Sequence, residues 1–162
     1  MAVVVSDTTP LHYLILIRQD SVLEKLYGRI MVPPAVLQEL GHAAAPPEVS
    51  TWSQSPPDWL TVQSPAAIPP HFENLDFGER QALALAKEIQ AELVLLDDKV
   101  ARRFAEREAL KVKGTLGVIA DAAKAGLLDF RKTVEILQRT TMRLEPQLVR
   151  RIIEEFEKEL NG

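Results

Sequence analysis

Five acidic side chains in this sequence have the type and the placement to bind a divalent metal ion: Asp7, Glu39, Glu79, Asp97 and Asp98. Asp7 and the Asp97–Asp98 pair follow apolar runs, and the other two fall near expected helix starts. Carboxylates gathered in one pocket cannot all stay ionised without a cation. Their oxygens suit Mg²⁺ or Mn²⁺, and such an ion can activate water against a phosphate ester. The acids therefore predict metal-dependent hydrolysis of phosphodiester bonds.

Each acid taken alone has a simpler interpretation. An acid after a strand often only caps the next helix, Glu39 could be a solvated helix residue, and Glu79 could be a favourable charge at a helix N-terminus. The adjacent Asp97 and Asp98 are more specific, because a cap needs one acid. The occurrence of all these acids in one chain favours a shared site.

The strands that must position these acids are short and apolar. Residues 3–5 form a β-branched run that predicts a buried strand, which delivers Asp7 to its carboxyl end, with Thr8 or Thr9 as the cap of the next helix. Residues 91–96 repeat this design before Asp97 and Asp98. Near-continuous apolar strands are typical of parallel sheets covered on both faces. In such sheets, ligands bind at the carboxyl ends of the strands.

The rest of the chain alternates between strand and helix patterns. Further strands are predicted at 29–32, 59–62 and 111–115. Helices are predicted at 11–27, 34–40, 80–90, 100–108, 116–125, 130–140 and 145–160, and the first of them has a break at 18–21. This alternation predicts an α/β fold with a mostly parallel central sheet and helices on both faces. At 162 residues the chain is expected to be one domain, with a core at about 1–128 and a helical extension at about 129–162.

The proline-rich segment 41–70 is the least regular part of the pattern. Apart from a short helix beginning near Pro46 and the strand at 59–62, it is interpreted as loop, which is long enough to be a flap or a partner surface. Its two tryptophans, Trp52 and Trp59, either pin this segment to the body of the domain or stack on nucleobases.

Composition narrows the class of protein. The 19 basic and 23 acidic residues give a net charge of -4, which argues against a protein that coats nucleic acid through bulk charge but not against a nuclease. The absence of cysteine excludes disulfides and thiolate metal sites and fits a reducing cytosol. No apolar run approaches the roughly 20 residues that span a bilayer. The N-terminus has no basic region before its apolar run, so we do not expect a signal peptide.

Four motifs of the chain resemble those of PIN-domain nucleases, in the same order and with suitable spacing from about Val3 to Leu128. They are VSDTTPL at 5–11, VPPAV at 32–36 followed by Glu39, LDFGE at 75–79 followed by Ala82 and Ala84, and LLDDK at 95–99 followed by Arg102. The segment GTLGV at 114–118 resembles the same group. The opening motif is similar to that of a VapC-like branch with an Asp-Thr-Ser/Thr-Pro-Leu start.

The resemblance implies a three-layer PIN-like fold over residues 1–162. It also implies a Mg²⁺- or Mn²⁺-dependent endoribonuclease, often the toxin of a type II toxin–antitoxin pair. The expected partners are an RNA substrate, an antitoxin protein and a second copy of the chain, and the expected location is the cytoplasm.

The resemblance also assigns roles to residues of the first three motifs. Asp7, Glu39 and Glu79 match the first, second and third catalytic acids, and Asp7 and Glu79 are expected among the metal ligands. Thr9 matches a Ser/Thr that supports the first acid through a hydrogen bond or a bound water.

The last motif departs from the common pattern. Many PIN domains have Thr-x-Asp after the late strand, whereas this chain has Leu96-Asp97-Asp98. Alignment on the Thr would favour Asp98 as the fourth acid. Asp97 follows the strand directly, which favours Asp97 instead. We take Asp97 as the catalytic acid and expect both Asp97 and Asp98 to be metal ligands. Arg102 and Arg103 are expected to contact substrate phosphates or to form an ordinary solvated helix face.

Two other classes of protein remain open from the sequence. A catalytically inactive PIN-like domain could serve as a protein- or RNA-interaction module. A response-regulator or phosphatase-like α/β domain also gathers acids at strand ends, but it would leave Glu39 and Glu79 without a role. DNA is not excluded as a substrate.

Overall fold

The computed structural model describes residues 2–161, which form a parallel sheet with helices. Within residues 2–161 there are five strands, which are β1 (Val4–Ser6), β2 (Ile30–Val32), β3 (Leu60–Val62), β4 (Leu93–Leu95) and β5 (Val112–Lys113). The α-helices are α1 (Thr8–Leu16), α2 (Ser21–Tyr27), α3 (Pro34–Leu40), α4 (Pro47–Gln54), α5 (Phe77–Glu88), α6 (Lys99–Arg107), α7 (Thr115–Lys124), α8 (Phe130–Gln138) and α9 (Pro146–Asn161). A 3₁₀ turn at Pro70–Phe72 precedes α5.

All five strands are parallel, in the order β3-β2-β1-β4-β5. The chain builds outward from β1 through β2 to β3 and then crosses back to place β4 on the other side of β1. The strand order therefore reverses between β1 and β4, and in open α/β sheets ligands bind outside the carboxyl ends of the strands at this point. The predicted α/β class with a parallel central sheet is confirmed.

Alternating side chains of the strands supply the core on each face of the sheet. Val5 and Val94 are fully buried against helices α5 and α6, in one cluster that also includes Leu83 and Ala101. Crossover connections between parallel strands are right-handed, so the helices following β1 and β2 lie on the opposite face from α5 and α6. This gives the three layers that the sequence predicts.

The first helix begins earlier than the pattern predicts. Its cap is Asp7, whose extended backbone (φ -79°, ψ 176°) precedes Thr8 as the first helical residue. The prediction that Thr8 or Thr9 caps this helix is wrong, because β1 ends at Ser6 and leaves only Asp7 between strand and helix. The expected break before α2 is present, and Gly28 (φ 81°) ends α2 in a conformation that disfavours residues with a Cβ.

The proline-rich segment contains regular elements that pack on the body of the fold. Its helix α4 buries Val49 completely, and β3 pairs with β2 as the edge strand of the sheet. The Trp59 side chain is buried, and the Trp52 indole N–H donates to Asp20 at 3.0 Å. Both tryptophans therefore pin the segment to the body of the fold, and the nucleobase-stacking alternative is not favoured.

The chain divides into two compact units, one up to Thr115 and one from Leu116 onward. The first unit contains the whole sheet and every predicted acid. In the second, the rings of Phe130 and Phe156 stack at 4.4 Å and Arg131 pairs with Glu157 at 2.6 Å. The expectation of a single domain with a core at about 1–128 stays a prediction. In the part of the chain described, no helix has the length and apolarity to cross a membrane.

Candidate active site

Asp7 occupies the point where the strand order reverses. It follows β1 directly, and its backbone N–H donates to the carbonyl of Leu95 at the end of β4, at 2.9 Å. Only 5% of the residue is exposed. The local sequence explains this placement, because the buried strand leaves no residue other than Asp7 between itself and α1.

The surroundings of Asp7 disfavour its charged form. Burial raises its pKa to about 8, and the negative charges of Glu79, Asp76 and Glu39 add to the rise, while the backbone N–H of Thr8 partly opposes it. Neighbouring acids raise a carboxyl pKa because they repel its negative charge. In the absence of a cation, Asp7 is therefore largely protonated at neutral pH.

Glu39 reaches the same region from α3. The Thr8 hydroxyl, one residue after Asp7, donates to Glu39 Oε2 at 2.5 Å. Gly78 of α5 leaves room for this carboxylate, since a Cβ at position 78 would lie 2.8 Å from Oε2 and 2.9 Å from Cδ. The starts of α1 and α5 thus both meet the Glu39 carboxylate.

Glu79 lies in the first turn of α5, as the sequence predicts. The Asp76 carboxylate accepts from the Glu79 backbone N–H at 2.8 Å, and Glu79 Oε1 accepts from the Asp76 N–H at 3.3 Å, which forms a capping box. Glu79 is nevertheless buried. Burial raises its pKa to about 7, and the charges of Asp76 and Asp98 contribute to the rise.

The two adjacent aspartates after β4 have different environments. Asp97 accepts two hydrogen bonds from Thr115, one from its backbone N–H at 2.8 Å and one from its hydroxyl at 2.6 Å. Gly114 allows this approach, since a Cβ there would lie 2.7 Å from Asp97 Oδ1. Burial raises the pKa of Asp97, while the Thr115 hydrogen bonds and then the Arg102 charge lower it in part. Asp98 is exposed and caps α6 by accepting from the Val100 N–H at 3.3 Å.

The two predicted phosphate contacts lie on α6. Arg102 is partly buried, and its Nη1 is 3.3 Å from the point where a Cβ on Gly114 would lie. Its charge acts on the Asp97 carboxylate. Arg103 is exposed on the same helix.

The structure brings most of the predicted acids into electrostatic contact. The charges of Glu39 and Glu79 act on Asp7, and that of Asp98 acts on Glu79. Asp97 is held instead by Thr115 and Arg102. Between residues 2 and 161, no group of three or more His, Asp and Glu side chains is arranged to hold a metal ion as it stands. The donor chemistry suits a divalent cation, because buried like-charged carboxylates are the groups that such an ion relieves.

Sequence reasoning missed the roles that three residues have in ordering this site. Thr8 and Thr115 donate from their hydroxyls to Glu39 and Asp97, whereas no hydrogen bond from Thr9 to an acid is present among residues 2–161. Asp76 contributes charge as well as a helix cap. The signal available for Thr115 was its position directly after a glycine at the end of the last strand.

One comparison with known proteins identifies the family. The family model DUF3368, described as a PIN domain, matches residues 3–158, which is nearly the whole chain. A search of curated proteins finds no match. PIN domains are generally nucleases, and such nucleases typically use divalent metals. With this match, and with acids at the strand-order reversal of a parallel sheet, the chain belongs to the PIN-domain family.

Proposed function

We propose that this protein is a Mg²⁺- or Mn²⁺-dependent endoribonuclease that hydrolyses RNA phosphodiester bonds. The observation that supports this most directly is the buried Asp7, which lies at the strand-order reversal under the charges of Glu79, Asp76 and Glu39. Such a carboxylate is costly in a folded protein unless a cation meets it. Its presence at this point of a PIN domain favours a catalytic use.

The metal would be held by Asp7, Glu79, Asp97 and Asp98, which offer carboxylate oxygens from the ends of β1 and β4 and from the start of α5. When bound, a divalent ion supplies positive charge that stabilises the phosphate in the transition state and lowers the pKa of water. Glu39 completes the set of four proposed catalytic acids, with Asp7, Glu79 and Asp97.

The chain's own groups orient the catalytic acids and position the RNA. Thr8 and Thr115 fix the carboxylates of Glu39 and Asp97, which lowers the entropy lost when substrate binds. Burial raises the pKa of Glu79 to about 7 in the metal-free protein, so a bound cation would favour its charged form. Arg103 and the neighbouring Arg102 provide positive charge for the RNA backbone, which positions a strand without reading its sequence.

The physiological role that we propose is the toxin of a type II toxin–antitoxin pair, acting in the cytoplasm. The support is the likeness of residues 5–11 to the opening motif of the VapC-like branch. This role implies an antitoxin partner and a homodimer. Co-expression with the gene next to its own, followed by purification and mass determination of the complex, tests both partners.

The first test of the activity is cleavage of a mixed RNA pool containing structured and single-stranded molecules, with Mn²⁺ or Mg²⁺. Parallel reactions contain EDTA or the Asp7→Asn variant, and an equivalent DNA pool tests the substrate class. Asp58→Asn is the matched control, because Asp58 is an exposed aspartate outside the acid cluster. We expect cutting by wild type and Asp58→Asn that disappears with EDTA and with Asp7→Asn.

A second candidate function is a catalytically inactive interaction module. It is favoured by the absence, among residues 2–161, of three acids arranged to hold an ion without rearrangement. Calorimetric titration with Mn²⁺ separates the two candidates. A folded protein that neither binds the metal nor cleaves RNA would refute the nuclease and leave the interaction module.

A further inference from the structure

An aromatic ring lies exposed beside the candidate active site. Phe77 is the first residue of α5, and 53% of it is accessible. Every other Phe, Tyr and Trp within residues 2–161 is buried or partly buried. Single exposed apolar residues are ordinary on protein surfaces, so the exposure alone has no significance. The Phe77 ring is of interest because it lies next to residues that interact with the acids of the candidate site.

The residues on either side of Phe77 take part in the acid cluster. Asp76 precedes it and raises the pKa of both Asp7 and Glu79 through its charge. Gly78 follows it and lies against the Glu39 carboxylate. The backbone that carries the ring is therefore part of the wall of this cluster, and the ring stands at its rim.

A second exposed apolar side chain lies at the start of the neighbouring helix. Val100 of α6 is 68% exposed, and its N–H is bound by the Asp98 carboxylate. Since the charge of Asp98 acts on Glu79, the starts of α5 and α6 face the same acids. Apolar surface thus borders the cluster on both helices.

The charges around the cluster limit what an RNA strand can use for binding. The acids repel phosphates, and the positive charge that acts on Asp97 comes from Arg102 of α6. Base stacking on an aromatic ring supplies affinity that does not depend on phosphate contacts or on base identity. A base can stack on a protein ring only when it is released from a duplex, so such a contact selects unpaired RNA.

We propose that Phe77 stacks on a nucleobase of single-stranded RNA beside the phosphodiester to be cleaved, with Val100 contacting the same nucleotide from α6. This inference rests on the proposed ribonuclease function and adds that the substrate is unpaired at the site. Phe77 is a substrate-binding residue in this scheme, whereas the acids perform the chemistry.

The test measures cleavage kinetics with a fluorescein-labelled 12-nucleotide RNA of mixed sequence, single-stranded or annealed to its complement, with Mn²⁺. For the single strand, Phe77→Ala is expected to raise KM roughly 5- to 100-fold, the range of one lost base–aromatic stack, with little change in kcat. Phe77→Trp restores KM because it keeps an aromatic face. Val62→Ala is the matched control, since Val62 is also exposed but ends the edge strand β3. Thermal melts establish that every variant is folded.

A direct readout of stacking comes from the Phe77→Trp variant. Its added fluorescence is expected to be quenched by the single strand and not by the duplex, beyond any change of the wild type. Anisotropy titrations in EDTA give affinity separately from turnover.

The outcomes separate the inference from the function on which it rests. Wild-type cleavage combined with an unchanged KM and affinity for Phe77→Ala overturns the stacking alone and favours a protein partner for the exposed ring. A Phe77→Ala variant that loses equal affinity for single-stranded and duplex RNA also overturns the stacking. A folded wild type that neither binds nor cuts RNA overturns both proposals.

Discussion

Replacing Asp7 with asparagine should make the metal-free protein more stable at neutral pH. The folded-state pKa of Asp7 is about 8, against 3.8 without the protein environment. Because the folded value is higher, the unfolded chain releases its proton first, and stability is lost as the pH rises from about 4 to about 8. Asparagine is not ionisable and escapes this loss.

The magnitude follows from the same shift. Each pKa unit corresponds to about 1.4 kcal/mol, and between the unperturbed 3.8 and pH 7 the residue loses about 4 kcal/mol of stability. Asp7 is 95% shielded, so solvent screening does not reduce this figure greatly. The neutral amide oxygen of asparagine accepts more weakly from the Thr8 N–H than a carboxylate does, which offsets about 1 to 2 kcal/mol of this gain. The expected net gain is about 2 to 3 kcal/mol, or roughly 4 to 12 °C in Tm for a chain of this size.

Differential scanning fluorimetry in EDTA at pH 4, 5.5, 7 and 8 measures this gain. The difference between Asp7→Asn and wild type should be near zero at pH 4 and increase with pH, while Asp58→Asn follows wild type throughout. Saturating Mn²⁺ should raise the Tm of wild type and leave Asp7→Asn unchanged. An Asp7→Asn variant that melts below wild type in EDTA at pH 7 would refute the reasoning, since Asp7 would then be stabilising as a carboxylate.

Three further substitutions test the contacts that order the site. Gly78→Ala places a methyl group against the Glu39 carboxylate and should cost about 1 to 3 kcal/mol in urea unfolding and lower cleavage; a neutral effect would show that Glu39 moves freely. Thr115→Val removes the hydroxyl bond to Asp97 and should cost about 1 to 2 kcal/mol and reduce kcat, whereas Thr115→Ser should retain both; a Val variant with wild-type kcat would contradict a positioning role. Asp76→Ala removes the α5 cap, with an expected cost of about 1 kcal/mol by thermal melting, and should also lower the pKa of Glu79, measured by NMR titration; an unchanged pKa would contradict the proposed electrostatic coupling.

The sequence alone was sufficient for the fold class, and it named the acids of the candidate site. Apolar runs of three to six residues before Asp7 and Asp97 predicted buried parallel strands, because these runs alternate with helical patterns of suitable length. The Asp76–Glu79 capping box joins two residues that lie within one helical turn. These are local relations, and the chain order specifies them.

The contacts that order the site could not be read from the sequence. Thr8 and Glu39 are 31 residues apart, and Thr115 and Asp97 are 18 apart, so their hydrogen bonds exist only after the sheet has assembled. The family likeness predicted that Thr9 supports the first acid, Asp7. In the fold it is the Thr8 hydroxyl that donates to an acid, Glu39. The order of β4 beside β1 was equally inaccessible, because several strand orders satisfy the same pattern.

The sequence by itself determined that acids follow buried strands and that the fold is α/β, since hydrophobic periodicity and capping act over a few residues. Only the tertiary structure decided that Asp7 lies beside the end of β4, that Gly78 admits Glu39, and that Asp97 is held by Thr115 while Asp98 caps a helix. The physical reason is that these contacts join distant segments, whose approach is set by the packing of the whole sheet and its helices rather than by any local preference.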